Sequence, residues 1–422
     1  MANLSIPNSK VSQSINSVLR KLELTGVFIL FIGFFDTDLS SWRTGFNTAS
    51  YGIILFLIIM RWKRCAYVAT RDLSLLLIAG TAILSYFWSA APEYTLNESK
   101  SFIRSILFGV YLASQYNPKQ LMQLLSMLFG AAVVLNLLYT GFAVATSHPE
   151  LAIAVTNDEP SWKGLLEHKQ YLGRMMMHAS VILMLFALTT QKFRWMAWTG
   201  FSLSTMLLLL SKSKTSWVGF LLSLAMLPIM RLVKQHYKVR TIIYIYLILI
   251  GGTISILVFG NLETIVVDVL RKPPDFNGRF EIWTLSIESA LRRPWLGYGY
   301  AGFWTSDESQ YILKNTWATS AGLSRFHAHN GFIELFLQLG TLGLSLFLFN
   351  FIAVLARVIR LIHLTKTIES LWMFEFLILS FIFQFTETLT LVSINTICSI
   401  YVSIGLSAII WQDRIKHNIT NI

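Results

Sequence analysis

Seven consecutive residues, Arg325-Phe326-His327-Ala328-His329-Asn330-Gly331, bring a guanidinium, two imidazoles and a capping amide together just ahead of an apolar run. Asn330 is a good N-cap, so His329 is expected at the mouth of a helix N-terminus. The positive end of the helix dipole disfavours the imidazolium there. A neutral imidazole can act as a general base near pH 7. Backbone N–H groups at the same terminus can hold phosphate oxygens. Upstream, residues 277–304 read NGRFEIWTLSIESALRRPWLGYGYAGFW. The apolar spacing predicts a short amphipathic helix over 280–291, opened by Asn277 and Gly278 and closed by Arg292-Arg293-Pro294. Arg279 then sits near a helix N-terminus, a poor place for a cation, and a specific anionic partner is expected for it. Gly297, Gly299 and Gly302 let the backbone turn tightly between aromatic rings.

The surrounding stretch, 261–330, is rich in aromatic and basic residues, Trp283, Trp295, Tyr298, Tyr300 and Trp304 among them. Aromatic faces stack on sugars and Arg forks bind phosphate bidentately, so the stretch suits a glycan-phosphate ligand. Any single ring equally suits a membrane-interface belt. Arg174 and His178 lie four apart on one face of another apolar segment. Arg174 is within about one turn of that segment's end, where it either snorkels to the surface or joins a phosphate-binding funnel. His178 reads as an interhelical hydrogen-bonding residue. Glu375 reads as structural, and Glu387 and Asn395 flank the last outer turn. Gly340 and Gly343 lie on one helix stripe, which predicts close helix packing. Asp36-Thr37-Asp38 sits alone at a span end, and it reads as ordinary loop acids rather than a metal site.

The elements that position these groups follow from composition. The chain has 422 residues, 54% apolar and 13% charged, with a mean hydropathy of +0.57. A soluble domain carries about 25% charged residues, so water is not the only solvent. Disorder and a disulfide scaffold are excluded as well; Cys65 and Cys398 read as two free thiols. A span needs about 20 apolar residues. Candidate spans fall at 22–42, 46–60, 73–89, 101–115, 119–146, 171–190, 193–210, 215–230, 241–260, 331–356, 371–389 and 391–411. With the N-terminus inside, the inner segments hold 19 of the 34 basic residues and 5 of the 22 acidic ones, about +14 inside against −2 outside. That bias satisfies the positive-inside rule. It explains the pI of 9.6 without nucleic acid. The predicted fold is an all-α integral membrane protein of about twelve transmembrane helices. Residues 1–21 form a cytoplasmic tail, 22–260 hold spans one to nine, 261–330 form one large periplasmic loop with short helices, 331–411 hold spans ten to twelve, and 412–422 form a second cytoplasmic tail.

His329-Asn330, nine residues, and Gly340-Thr341-Leu342-Gly343 resemble the signature H-[NSQ]-x9-G-x2-[GTY] of the bacterial O-antigen ligase and polysaccharide polymerase superfamily. Three further segments agree. Glu167-His168-Lys169-Gln170-Tyr171-Leu172-Gly173 is similar to the family's H-K-N-x-L-G opening to a span, with Gln170 in place of Asn. Ser211-Lys212-Ser213-Lys214-Thr215 resembles its S-x-S-[RK]-T turn. Residues 277–304 resemble the G-R-x-x-x-W, R-P-x-x-G-x-G and F-W block of exopolysaccharide polymerases.

The resemblance implies a GT-C-like fold and inverting glycosyl transfer at the periplasmic face of the inner membrane, with no metal and no cofactor. The donor it implies is an oligosaccharide on undecaprenyl pyrophosphate, and the acceptor a glycan or a lipid. Carried over, His329 deprotonates the acceptor hydroxyl. Arg279, Lys214, Arg325 and Arg174 neutralise the departing pyrophosphate. His168, Lys169, Asn330, His327 and Trp283 shape the site. Lys at 214 gives a point charge where many members place an Arg fork. The expected function is polymerisation of lipid-linked repeats. Ligation of a glycan to lipid A–core is the alternative, and a multispan transporter is a second. Sugar, linkage and any chain-length or export partners stay open.

Overall fold

The computed structural model describes residues 10–34, 40–156, 159–228, 278–316, 326–387 and 396–420. The expected span 241–260, Arg325, Asn277, Asn395 and Asp36-Thr37-Asp38 lie outside them. Within them the chain is almost entirely helical. Helices α1 (Lys10–Gly33), α2 (Ser40–Met60), α3 (Trp62–Ala69), α4 (Leu73–Leu84), α5 (Pro92–Gln115) and α6 (Pro118–Ala145) come first. A small hairpin follows, β1 (Ile153–Thr156) paired antiparallel with β2 (Glu159–Trp162). Then come α7 (Lys169–Thr189), α8 (Arg194–Leu210) and α9 (Lys214–Met226). The 278–316 segment contributes α10 (Arg279–Arg292) and α11 (Gln310–Asn315), before α12 (Gly331–Thr365), α13 (Ile368–Phe383) and α14 (Thr396–Thr420).

Local chemistry explains the starts. Asn117 and Gln120 close a reciprocal capping box with Pro118 in the first turn of α6. Asp72 caps α4 and Thr367 caps α13 through their side-chain oxygens. α7 is buried on every face from Leu172 to Leu185. A helix apolar all round belongs at the centre of a bundle, and α7 packs there against α6, α8, α9 and α13. A second group joins α5 to α14 and α12 to α4 and α14. Its polar core is the Asp72 carboxylate, which meets the Arg357 guanidinium and the Asn350 amide, while the Tyr401 hydroxyl donates to Asn350 Oδ1 at 2.7 Å. Polar groups at such depth are kept by pairing.

Among the described residues four helices are long and apolar enough to cross a bilayer: Pro118–Ala145, Lys169–Thr189, Gly331–Thr365 and Thr396–Ile415. Trp62–Ala69 with Leu73–Trp88, bent by 93°, adds a fifth if taken as one broken span. The expected segments within the described residues fall largely in helices, but several helices are short of a crossing length. α4 ends at Leu84 in a 3-10 turn, Ser85–Trp88. Of the run expected over 22–42, the described residues place 22–33 in α1 and 40–42 in α2.

Candidate active site

Residues 326–330 connect to α12 through Asn330. Its Oδ1 accepts the Phe332 and Ile333 N–H groups at 3.0 and 3.2 Å. The Gly331 N–H goes to the Gln384 carbonyl at 2.7 Å and the Glu334 N–H to the Asn330 carbonyl at 2.9 Å. The first four N–H groups of α12 are therefore all taken within the protein. The expectation that they cradle phosphate is corrected: the cap and the end of α13 satisfy them first.

Three successive carbonyls past α13 bind the site together. Gln384 accepts from the Gly331 backbone, Phe385 from the Asn330 amide at 3.4 Å, and Thr386 from Arg279 Nη1 at 2.8 Å. Carbonyls at a helix C-terminus lack intrahelical donors, so these were available. Arg279 is the first residue of α10, after Gly278 at φ 75°. The anion expected beside it is a carboxylate of the chain itself, Glu387, 4.0 Å from Nη2. Burial lowers the Arg279 pKa, against the pull of Glu387.

The two histidine rings lie 4.0 Å apart between centroids. His329 adopts a left-handed backbone, φ 51°, uncommon for a non-glycine residue. Its N–H donates to His327 Nδ1 at 3.1 Å. Neutral His327 therefore carries its proton on Nε2. Burial pushes His327 down to about 4, with help from Arg174, Arg279 and His168. Burial, then His327, Arg279 and His168, push His329 down to about 2. Both imidazoles are neutral at pH 7. Desolvation is the leading cause, where the sequence suggested the helix dipole.

The structure thus gathers His329, His327, Arg279, Arg174 and His168 into one electrostatic neighbourhood. Arg174 is buried, with its guanidinium 5.2 Å from the Tyr171 ring. His168 is the N-cap of α7, its Nδ1 accepting the Gln170 N–H at 3.3 Å. Lys169 and Lys214 belong to a second basic group with Lys212 around Glu159 of β2; Lys212 Nζ lies 3.0 Å from its carboxylate. Trp283 acts on the loop backbone, its Nε1 donating to the Ala328 carbonyl at 2.8 Å.

The sequence reading missed Glu334. This 2% exposed side chain accepts the Ala328 N–H at 2.8 Å, the Trp304 indole N–H at 3.0 Å and the Gln338 amide at 2.8 Å. An acid in the first turn of an apolar helix is costly unless it has partners, and that signal was present in the sequence.

Residues 199–348 match the family model described as O-antigen ligase. The chain is also 26% identical over 383 residues to the exopolysaccharide production protein ExoQ of Rhizobium meliloti (strain 1021), covering 86% of this chain and 83% of that one. Both matches support a likeness to the O-antigen ligase and polymerase superfamily.

The superfamily signature then has a physical reading here. Gly340 is not part of a packing stripe. It breaks α12 at φ 63°, ψ −162°, and a Cβ there would lie 2.4 Å from Trp295 backbone atoms. The Arg-Pro-Trp-Leu-Gly segment docks into this break. Pro294 and Trp295 carbonyls accept the Thr341 and Leu342 N–H groups at 2.8 and 3.2 Å, and the Leu337 carbonyl accepts from Tyr298 at 2.9 Å. Two other motifs meet at Gly173, where a Cβ would lie 2.5 Å from that of Ser213 and 2.8 Å from Ser211 Oγ. Glycine there lets the α8–α9 turn press against the start of α7.

Proposed function

We propose that this protein is a membrane glycosyltransferase that joins oligosaccharide repeats, carried on undecaprenyl pyrophosphate, into a polysaccharide at the periplasmic face of the inner membrane. The observation that carries this reading is the convergence of neutral His329 with Arg279, His327 and His168, in a chain related to a protein named for exopolysaccharide production. In this reading twelve spans lie within 22–260 and 331–411, the 261–330 loop is periplasmic, and the tails 1–21 and 412–422 are cytoplasmic.

The acceptor hydroxyl attacks the anomeric carbon from the side opposite the pyrophosphate. The new glycosidic bond forms as the old C–O bond breaks, and its electron pair leaves with the pyrophosphate. The hydroxyl proton passes to His329. Arg279 and Arg174, with Arg325 and Lys214 further candidates, offset the charge of the leaving group. Fixed cations then do without metal what a divalent ion does elsewhere. An imidazole held at about 2 is a poor base. Arg279 contributes to that depression, so a bound pyrophosphate that neutralises Arg279 raises the basicity of His329 when substrate is in place.

The test is His329→Ala in purified protein supplied with lipid-linked donor. The expected result is a folded, donor-binding, inactive protein; persisting turnover would remove His329 from the base role. Arg279→Ala should weaken donor binding or turnover, and Arg279→Lys less so. Turnover that survives EDTA is expected too. Ligation to lipid A–core is the second reading, favoured by the description of the matching family. Gene deletion separates them. Loss of long chains with single repeats kept means polymerase, and free lipid-linked polymer beside bare lipid A–core means ligase.

A further inference from the structure

A cavity of about 550 Å³ opens at the end of the helix bundle away from His329. α5 sets the separation. Near its start, Thr95 Oγ1 donates to the Tyr300 carbonyl at 2.9 Å, in the segment that delivers Trp304 to Glu334. Its last residues, with α3 and the C-terminal part of α14, line the cavity. α5 has 24 residues, so roughly 36 Å of helix lies between the two ends.

The lining is one-signed. Lys63, Arg64 and Arg414 contribute three cations, and among the described residues no carboxylate lines the cavity. The nearby acid Glu23 is held by Arg61, Oε1 to Nε 2.8 Å. Gln115 adds a neutral amide. Tyr67 and Trp411 complete the wall, and the Arg414 guanidinium lies 5.2 Å from the Trp411 ring. The position fits a membrane surface. α3 is bent 93° from the apolar Leu73–Trp88 segment, so it lies flat if that segment runs along the bilayer normal. Cys65 and Val68 of α3 are buried, while Trp62 and Tyr67 are 60% and 51% exposed. Exposed Trp and Tyr beside cations is the pattern of the headgroup level. The volume is that of a small-ligand site.

We propose that this cavity binds a phosphate ester, and that its occupant is the headgroup of an anionic phospholipid in the leaflet opposite the His329 site. The three cations hold the phosphate oxygens, the amide meets headgroup hydroxyls, and the rings of Tyr67 and Trp411 border the acyl region. The proposal rests on the membrane disposition of the chain and not on the transfer reaction.

The test uses the full chain in nanodiscs of phosphatidylcholine, titrated with phosphatidylglycerol and followed by native mass spectrometry. A second titration uses inorganic phosphate alone. The Lys63→Gln/Arg64→Gln/Arg414→Gln variant is compared with a Lys192→Gln/Arg194→Gln/Lys366→Gln control, which removes the same charge elsewhere. Saturable retention of phosphatidylglycerol is expected, weakened about fivefold per cation removed and so on the order of a hundredfold in the first variant, and unchanged in the control. Single Lys63→Gln and Arg414→Gln variants carry the same reading if the triple variant unfolds. Inorganic phosphate binding equally well, with no preference for phosphatidylglycerol, would overturn the lipid as occupant. Equal loss in both triple variants, or no saturable binding of either probe, would overturn the site.

Discussion

Trp283 and Glu334 grip one residue, Ala328, from opposite sides: the indole donates to its carbonyl at 2.8 Å and the carboxylate accepts its N–H at 2.8 Å. Ala328 stands between His327 and His329, so a side chain of α10 and one of α12 together fix where both imidazoles sit. The left-handed backbone at His329 costs of order 1–3 kcal/mol and persists because this grip over-determines it.

Glu334→Ala should therefore separate positioning from donor binding. It leaves the Ala328, Trp304 and Gln338 donors without their acceptor, at about 1–3 kcal/mol for each buried group. A displacement of about 1 Å at a reacting group costs on the order of a hundredfold in rate. The expected outcome is a kcat reduced by at least about tenfold with the KM for lipid-linked donor little changed. Glu334→Gln keeps one acceptor oxygen and should recover part of the loss. An unaltered kcat in Glu334→Ala would show that the grip does not set the geometry.

His327 and His329 are distinguishable by mimicry. The Nδ1 of His327 accepts the His329 N–H, and an Asn side-chain oxygen at 327 can take the same bond. His327→Asn should retain much more turnover than His327→Ala, while His329→Asn and His329→Ala should both be inactive. The reverse pattern would assign proton transfer to His327.

The burial of the pair predicts an acid-sensitive fold. In the native protein His327 titrates near 4 and His329 near 2; in the unfolded chain both titrate near about 6.5. Above that value neither state binds a proton and the pair contributes no pH dependence. As pH falls from about 6.5 towards 4 the unfolded chain takes up protons first, so stability falls with pH and the His327 contribution levels off below about 4. Thermal unfolding followed from pH 7.5 to 4.5 should show the decline, and His327→Asn should flatten it. An identical slope in the variant would exclude His327 as a contributor.

Gly340→Ala should loosen the 278–316 segment. The added methyl meets Trp295 backbone atoms at 2.4 Å, in a conformation that L residues rarely adopt. A lower Tm and faster tryptic cleavage after Arg292 are expected, with turnover falling in parallel. Unchanged proteolysis would mean that the break accommodates a side chain.

Much of this arrangement has letters in the sequence. Asn330 as a cap, the helix of residues 279–292 and the membrane-scale apolar runs follow from side-chain chemistry and period alone. The bonds that assemble the site do not. Gln384, Phe385 and Thr386 act through their carbonyls, which every residue has, so no residue type announces them. Gly340 was legible as a glycine but not as a break, because the group that needs the space, the Trp295 backbone, is 45 positions away in sequence. Lys214 and Arg279 look equivalent as cations in the sequence, and the structure sets Lys214 near Glu159 of the hairpin, in a basic group that reaches His168 through Lys169.

The docking of Pro294 and Trp295 into the opened turn of α12 makes the 278–316 segment and the helix after it a single inheritable module. A chimera that exchanges residues 278–316 between relatives without also exchanging 331–343 leaves an empty notch on one parent and a homeless strap on the other. Swaps meant to transplant sugar preference will behave only when both pieces travel together.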